Sequence, residues 1–219
     1  MSHRTSVSEH LVLAVLAALA WFGVLLQLVL SLRLAQATGQ SIADGLVAYS
    51  GYFTVLSNLL VALVASAGLL ATRGFPASGS LRGCATTAIV LVGIGYHVLL
   101  RQVWDPQGWQ RVADYALHYA VPLASLAYWL LFPPRRPLAL LAPLAWLLYP
   151  LAYFAYVMVR GEVLGSYPYY FIDVTRLGYG AVLANALGFL AGFVAVGFLV
   201  RQLAGFCRTR AGAAPRAGL

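Results

Sequence analysis

The residues of this chain best suited to chemistry lie in two short polar stretches set within long apolar surroundings. In Tyr52-Phe-Thr-Val-Leu-Ser-Asn58, the residues Thr54, Ser57 and Asn58 stand at i, i+3 and i+4, which makes them neighbours on one face of a helix. The 27 residues from Gly45 to Ala71 carry no charge. A hydroxyl or amide in hydrocarbon is costly without a partner, so this face must look toward other helices or a cavity. In Asp114-Tyr-Ala-Leu-His118-Tyr-Ala-Val-Pro122, Asp114, His118 and Pro122 recur every four residues and stack on one face. Pro122 has no N–H to give to the carbonyl of His118, so the helix should kink or open at that turn. An imidazole with a carboxylate one turn away has the make-up of a general base. Spacing alone favours the plainer reading of the same residues, an interfacial cap at Asp114 and a packing hydrogen bond from His118.

Further candidates surround these. His97, in Gly95-Tyr-His97, falls on the preceding apolar segment at a depth similar to His118, and two histidines on successive helices are the raw material of a single b-type haem site. Trp146, Tyr149, Tyr153, Tyr156 and Arg160 follow one another at spacings of 3, 4, 3 and 4. Such a stripe reads as interhelical packing, or as the wall of a lipid-shaped cavity with a few hydroxyls for orientation. Tyr167-Pro-Tyr-Tyr-Phe171 belongs at the membrane surface as a cover for that cavity, and Gly188-x-x-x-Gly192 reads as a site of close helix packing. Cys84 and Cys207 have neither metal-like nor redox-like spacing. No metal and no resident cofactor is expected.

The elements that must position these groups follow from composition. With 62% hydrophobic and 9% charged residues and a mean hydropathy of +0.83, the chain fits an integral membrane protein and no soluble class. Apolar segments at 11 to 32, 45 to 71, 84 to 100, 115 to 132, 138 to 159 and 177 to 200 predict an all-α bundle of six transmembrane helices. The first exceeds the apolar core of a signal peptide and reads as an uncleaved anchor. The expected domain runs over 1 to 207, with a disordered basic tail from 208 to 219. Arg4, Arg73, Arg82, Arg135, Arg136, Arg201, Arg208, Arg210 and Arg216 fall on one side with Glu9, and five arginines fall on the other with five carboxylates. That excess puts both termini in the cytoplasm, and the net charge of +8 reads as a topology signal plus attraction to anionic lipid, with no nucleic-acid role. The chain has no lysine, which excludes Schiff-base chemistry on a lysine; with abundant Ala, Leu and Gly it points to a high-GC bacterial gene and the inner membrane.

At Tyr-Phe-Thr54 with Asn58, at His118 followed closely by Pro122, and at Tyr149-Pro with the later Tyr167-Pro-Tyr-Tyr-Phe, the sequence resembles the bacterial six-helix Pr-six-Pr membrane proteins. These in turn resemble the androgen-induced and androgen-dependent TFPI-regulating family. The resemblance spans about Gly45 to Gly192. It implies a multipass threonine hydrolase cleaving fatty acid esters of hydroxy fatty acids or similar lipid-like esters, with the nucleophile on Thr54 and the histidine on His118. Asn58, Ser57, His97, Asp114, Tyr149 and Tyr153 are then expected around the cavity, with Asn58 or a tyrosine of the fifth segment as oxyanion donor. Membrane lipids and a lipid-like small molecule are the expected partners.

Three alternatives stand beside this reading. Thr54 can bond back to the carbonyl of Ser50 as a structural hydroxyl; the cavity can belong to a non-enzymatic lipid or solute binder or transporter; or the histidines can hold a haem. On straight helices, Thr54 would lie about 15 Å inward from Asp44 while His118 lies about 6 Å inward from Asp114, so the two would need tilt or a kink to come level.

Overall fold

The structure is a computed structural model that describes residues 7–70 and 78–213, with side chains as far as 209. Among the described residues it is all helix and turn, with no strand. The elements are α1 (Val7–Ala37), α2 (Ile42–Ser50), α3 (Phe53–Leu69), α4 (Gly79–Gly95) with a π-turn over Tyr96–Leu100, α5 (Gly108–Tyr115), a second π-turn over Ala116–Ala120, α6 (Val121–Leu131), α7 (Ala142–Trp146), α8 (Leu148–Leu164), a single 3-10 turn (Tyr170–Ile172) and α9 (Val174–Ala213).

Four helical stretches, Val7–Ala37, Gly79–Leu100, Ala142–Leu164 and Val174–Thr209, are long and apolar enough to cross a membrane, and the pair α2 and α3 makes a fifth if counted as one span. The stretch expected at 115 to 132 is helical from Gly108 through Leu131. It is less apolar than the others because it carries Asp114, His118, Tyr115, Tyr119 and Tyr128. Helix α9 continues to Ala213, so residues 208 to 213 are not the disordered tail that composition predicted. The remainder of that tail, with Arg4 and Arg73, lies outside the described residues.

The largest departure from expectation is at 45 to 71, which is not one rod. Helix α2 starts on a capping box in which Ser41 and Asp44 each cover the other's backbone N–H, and α3 turns away from it by 80°. Tyr52 sits at the corner in an extended conformation and offers no side-chain cap to α3. Interruption of a helix inside a membrane frees backbone groups that must find other partners. The aromatic stripe of α8 supplies several of them. Tyr153 donates to Gly51 O at 2.9 Å, Tyr156 pairs with Ser50 Oγ at 3.1 Å, and Arg160 reaches Val47 O at 3.4 Å. One turn deeper, Tyr149 meets Ser57 Oγ at 3.2 Å. The stripe therefore laces α8 along the bend.

Small residues let the central helices approach closely. Ala17 and Ala20 of α1, Ala62 and Ala65 of α3, and Ala85 and Ala88 of α4 are all buried. Three indoles close polar gaps between helices: Trp21 on Ser66 at 3.1 Å, Trp129 on Val200 O at 2.8 Å and Trp146 on Ser80 at 2.9 Å. At one end of the bundle Arg82 donates to Phe132 O and lies over the rings of Tyr128 and Trp129. Nearby, Glu9 takes the Tyr128 hydroxyl and pairs with Arg135. At the other end α8 stops at Gly165, whose φ of 63° is the left-handed conformation that ends helices.

A methyl group added at Gly83 would lie 2.5 Å from the Trp146 ring, whereas one at Gly205 meets nothing within 4 Å. Gly83→Ala should cost about 1–3 kcal/mol by overpacking and lower the thermal midpoint in detergent. Gly205→Ala should leave it unchanged or raise it.

Candidate active site

The corner between α2 and α3 places Thr54 as the second residue of α3, where backbone N–H groups have no helical acceptor. Its N–H finds only the Tyr169 hydroxyl, at 3.4 Å. Its side chain is buried and its Oγ1 lies 3.3 Å from His118 Nε2. No bond to the Ser50 carbonyl forms, because the helix that would carry it is interrupted. The depth mismatch expected for straight helices disappears for the same reason: α2 runs across the direction of α3 and adds little to the depth of Thr54.

His118 sits on the π-turn that joins α5 to α6. Its Nδ1 faces two acceptors, the backbone oxygen of Asp114 at 3.1 Å and Asp114 Oδ1 at 3.1 Å. Nδ1 must therefore carry the proton in the neutral ring, which leaves Nε2 with a lone pair turned toward the Thr54 hydroxyl. Asp114 is buried, and its other oxygen receives the Tyr96 hydroxyl at 2.5 Å. The Tyr96 ring also stacks on the imidazole, with centroids 4.0 Å apart. Asp114 is thus no helix cap, a position held by Gln107. It orients His118 and is itself fixed by Tyr96, a residue that sequence reasoning passed over. The adjoining polar residue at i+18 on another helix left no pattern by which to find it.

The opening expected at Pro122 is present in a different form. In a π-turn each N–H reaches back five residues, and Val121 N–H accordingly bonds to Ala116 O. Leu117 O would then await the N–H of residue 122, which is proline and has none. Asn58 fills the gap: its Nδ2 donates to Leu117 O at 3.2 Å and to Thr54 O at 2.8 Å. One amide thus ties the start of α3 to the turn bearing His118. Because both its hydrogens are used on backbone, Asn58 is a positioning residue and not the expected oxyanion donor. Its Oδ1 is buried without a partner.

The other expected residues take separate places. Ser57 and Tyr149 bond to each other at 3.2 Å, one hydroxyl donating to the other. Tyr153 lines the cavity beside Phe53 and spends its hydroxyl on Gly51 O. His97 is exposed and pairs with Tyr119 at 3.2 Å, apart from the Thr54 cluster. His118 turns its Nε2 to Thr54, whereas the contact of His97 is with Tyr119. Among the described residues no group of three or more His, Cys, Asp or Glu side chains could hold a metal ion.

Beside Thr54 lies a cavity of about 660 Å³, walled by Phe53, Leu91, Tyr96, Tyr153, Phe189 and others, with Tyr169, Tyr170 and Phe171 over it. The aromatic loop is therefore a cover. Tyr169 packs between Tyr52 and Phe171, and the resulting desolvation pushes its phenol up to about 12, so it is a neutral hydroxyl at ordinary pH. Gly188 and Gly192 also line this space. A methyl group on Gly188 would meet nothing within 4 Å, whereas one on Gly192 would lie 3.8 Å from Leu91, so of this pair Gly192 faces α4 at ordinary contact distance and Gly188 forms open cavity wall.

No family model, curated protein or solved structure matches the chain.

Nitrogen-15 NMR of labelled protein should show His118 as the Nδ1–H tautomer. Asp114→Asn replaces the carboxylate by an amide that can also donate to the ring, leaving the backbone oxygen of residue 114 as the one fixed acceptor, and should admit a share of the Nε2–H form; an unchanged spectrum would count against this role for the carboxylate.

Proposed function

We propose that the protein is a membrane-embedded hydrolase of lipid-like esters that uses Thr54 as nucleophile and His118 as base. The observation that carries this reading is the Thr54 Oγ1 to His118 Nε2 separation of 3.3 Å, beside an apolar cavity and with Asp114 behind the imidazole. A threonine hydroxyl is a weak nucleophile alone and needs an adjacent base, itself oriented by a third group.

In the acylation step His118 Nε2 takes the hydroxyl proton as Oγ1 attacks the ester carbonyl carbon. The carbonyl oxygen becomes an oxyanion beside the Thr54 N–H, and the neutral Tyr169 hydroxyl can turn its hydrogen toward it. Orphan N–H groups at the start of α3 add the positive end of a helix dipole there. The intermediate collapses by breaking the bond to the alcohol oxygen, which leaves with the proton from His118. Water then attacks the acyl-threonine, again giving its proton to Nε2, and the carboxylic acid departs as Thr54 is restored.

The frame for this chemistry is a six-span bundle in which Gly108–Leu131 also crosses the bilayer. The excess of arginine on the side of Arg82, Arg135 and Arg201 supports cytoplasmic termini. The lysine-free composition supports a bacterial inner membrane. The substrate reading, an ester joining a fatty acid to a hydroxy fatty acid or a similar lipid, rests on the sequence resemblance and the apolar cavity. A second reading, a lipid binder without turnover, draws on the same cavity.

A fluorophosphonate probe should label the wild-type protein and Thr54→Ser but not Thr54→Ala. His118→Asn should slow labelling and lipid ester turnover by about 10²- to 10⁴-fold. Equal labelling of Thr54→Ala would overturn the mechanism. Saturable lipid binding that survives loss of both residues, with no turnover, would favour the binder.

A further inference from the structure

The cavity is not enclosed on every side. Along one edge its lining residues Ile94, Val98 and Leu99, from the end of α4 and its π-turn, are exposed. Along the facing edge Ala184, Asn185 and Gly188 of α9 line it and are exposed as well. Toward the Arg82 end the two helices stay together: a methyl group on Gly192 would lie 3.8 Å from Leu91, and one on Gly197 would lie 3.6 Å from Thr87. They part only in the half of the bundle that holds Thr54. The loop above the gap is fastened to α9 by Asn185, which donates to Phe171 O at 2.8 Å.

Both edges of this mouth belong to candidate membrane spans, Gly79–Leu100 and Val174–Thr209. It therefore opens sideways into hydrocarbon and not upward into water. Among the described residues no Arg, Asp, Glu or His side chain lines the cavity; the polar groups there are Thr54, tyrosine hydroxyls and Asn185. A charged headgroup would lose its hydration there without gaining a counter-charge. An uncharged acyl chain would give up nothing, since lipid tails and cavity wall are equally apolar. A glycine at position 188 keeps the gap wide, because any side chain there projects into open space.

We infer that the slot between α4 and α9 is a lateral portal, through which the uncharged acyl chain of a lipid ester enters from the membrane leaflet on the Asp105 and Asp173 side. The chain lies along Gly188, Gly192 and Leu91 with its ester at Thr54, and any charged portion of the lipid stays outside the mouth. Chain occupancy is a binding property and does not require turnover, although the placing of the ester rests on the hydrolase reading above.

The test uses full-length Thr54→Ala protein in phosphatidylcholine vesicles containing a long-chain fatty acyl ester with a diazirine in mid-chain. After illumination, adducts mapped by mass spectrometry should concentrate on the stretches 94–99 and 184–192. Gly188→Phe should lower that labelling by about tenfold, the lower end of what steric mismatch in an apolar pocket costs. Ile94→Trp, which narrows the opposite edge, should do the same. Leu187→Phe, on the neighbouring outward face and outside the lining, should leave labelling unchanged, and thermal midpoints of all variants verify folding. Adducts confined to other faces of the bundle, or undiminished labelling in folded Gly188→Phe and Ile94→Trp, would overturn the portal. Failure of the hydrolase reading appears separately, as unchanged fluorophosphonate labelling of Thr54→Ala.

Discussion

A single peptide carbonyl that has lost its helical donor governs the geometry of the site. The π-turn at Ala116–Ala120 shifts the hydrogen-bond pairing by one residue, and Pro122 then has no N–H to give. The orphaned oxygen of Leu117 would be expensive in a membrane interior, where water is not at hand to compensate. Asn58 answers it, and the same amide also holds the Thr54 carbonyl. Two helices that supply different halves of the candidate chemistry are thus joined through backbone atoms, which are less mobile than side chains. The distance between Thr54 and His118 is a consequence of that joint more than of any attraction between the two side chains themselves.

The sharp corner between α2 and α3 plays the complementary part. A hydroxyl in the middle of a long helix would have an intrahelical carbonyl within reach and a neighbouring N–H already occupied. At the second position of α3 neither holds, so the oxygen faces an imidazole and the N–H turns to the Tyr169 hydroxyl. The corner leaves polar backbone in an apolar place, and the tyrosines of α8 and Arg160 bring the missing partners. Features that look like three separate devices, a bend, an aromatic stripe and a polar face, are in this sense one arrangement.

Much of this was legible in the sequence, and the parts that were not share a cause. Helical periodicity alone placed Thr54 with Asn58 and Asp114 with His118, because neighbours on one helix face follow from spacing. It also marked Tyr167 to Phe171 as a cover, since aromatic residues between spans favour the interface. The corner at Gly51 escaped notice because no proline or charge interrupts the apolar run from Gly45 to Ala71, and hydropathy does not record direction. Roles that depend on which atom faces which neighbour also escaped: Asn58 looked like an oxyanion donor, but both its amide hydrogens go to backbone carbonyls. The contact of Tyr96 with Asp114 joins different helices and has no signature in either one. Gly188 and Gly192 have the spacing of a packing motif, but Gly188 is exposed and both line the cavity, which gives them a different use. The terminal arginines, read as a loose tail, extend α9 instead for at least part of their length.

The loop over the cavity is clasped at its far side by Glu162, whose carboxylate receives the hydroxyls of Tyr167 at 2.9 Å and Tyr179 at 2.5 Å. One acid thereby fastens the end of α8, the loop and the start of α9. With that canopy anchored, a ligand using the proposed lateral portal would travel in the plane of the bilayer. Encounter then becomes a two-dimensional problem: occupancy follows the mole fraction of the ligand among its neighbouring lipids, and its concentration in the surrounding water matters only through partitioning.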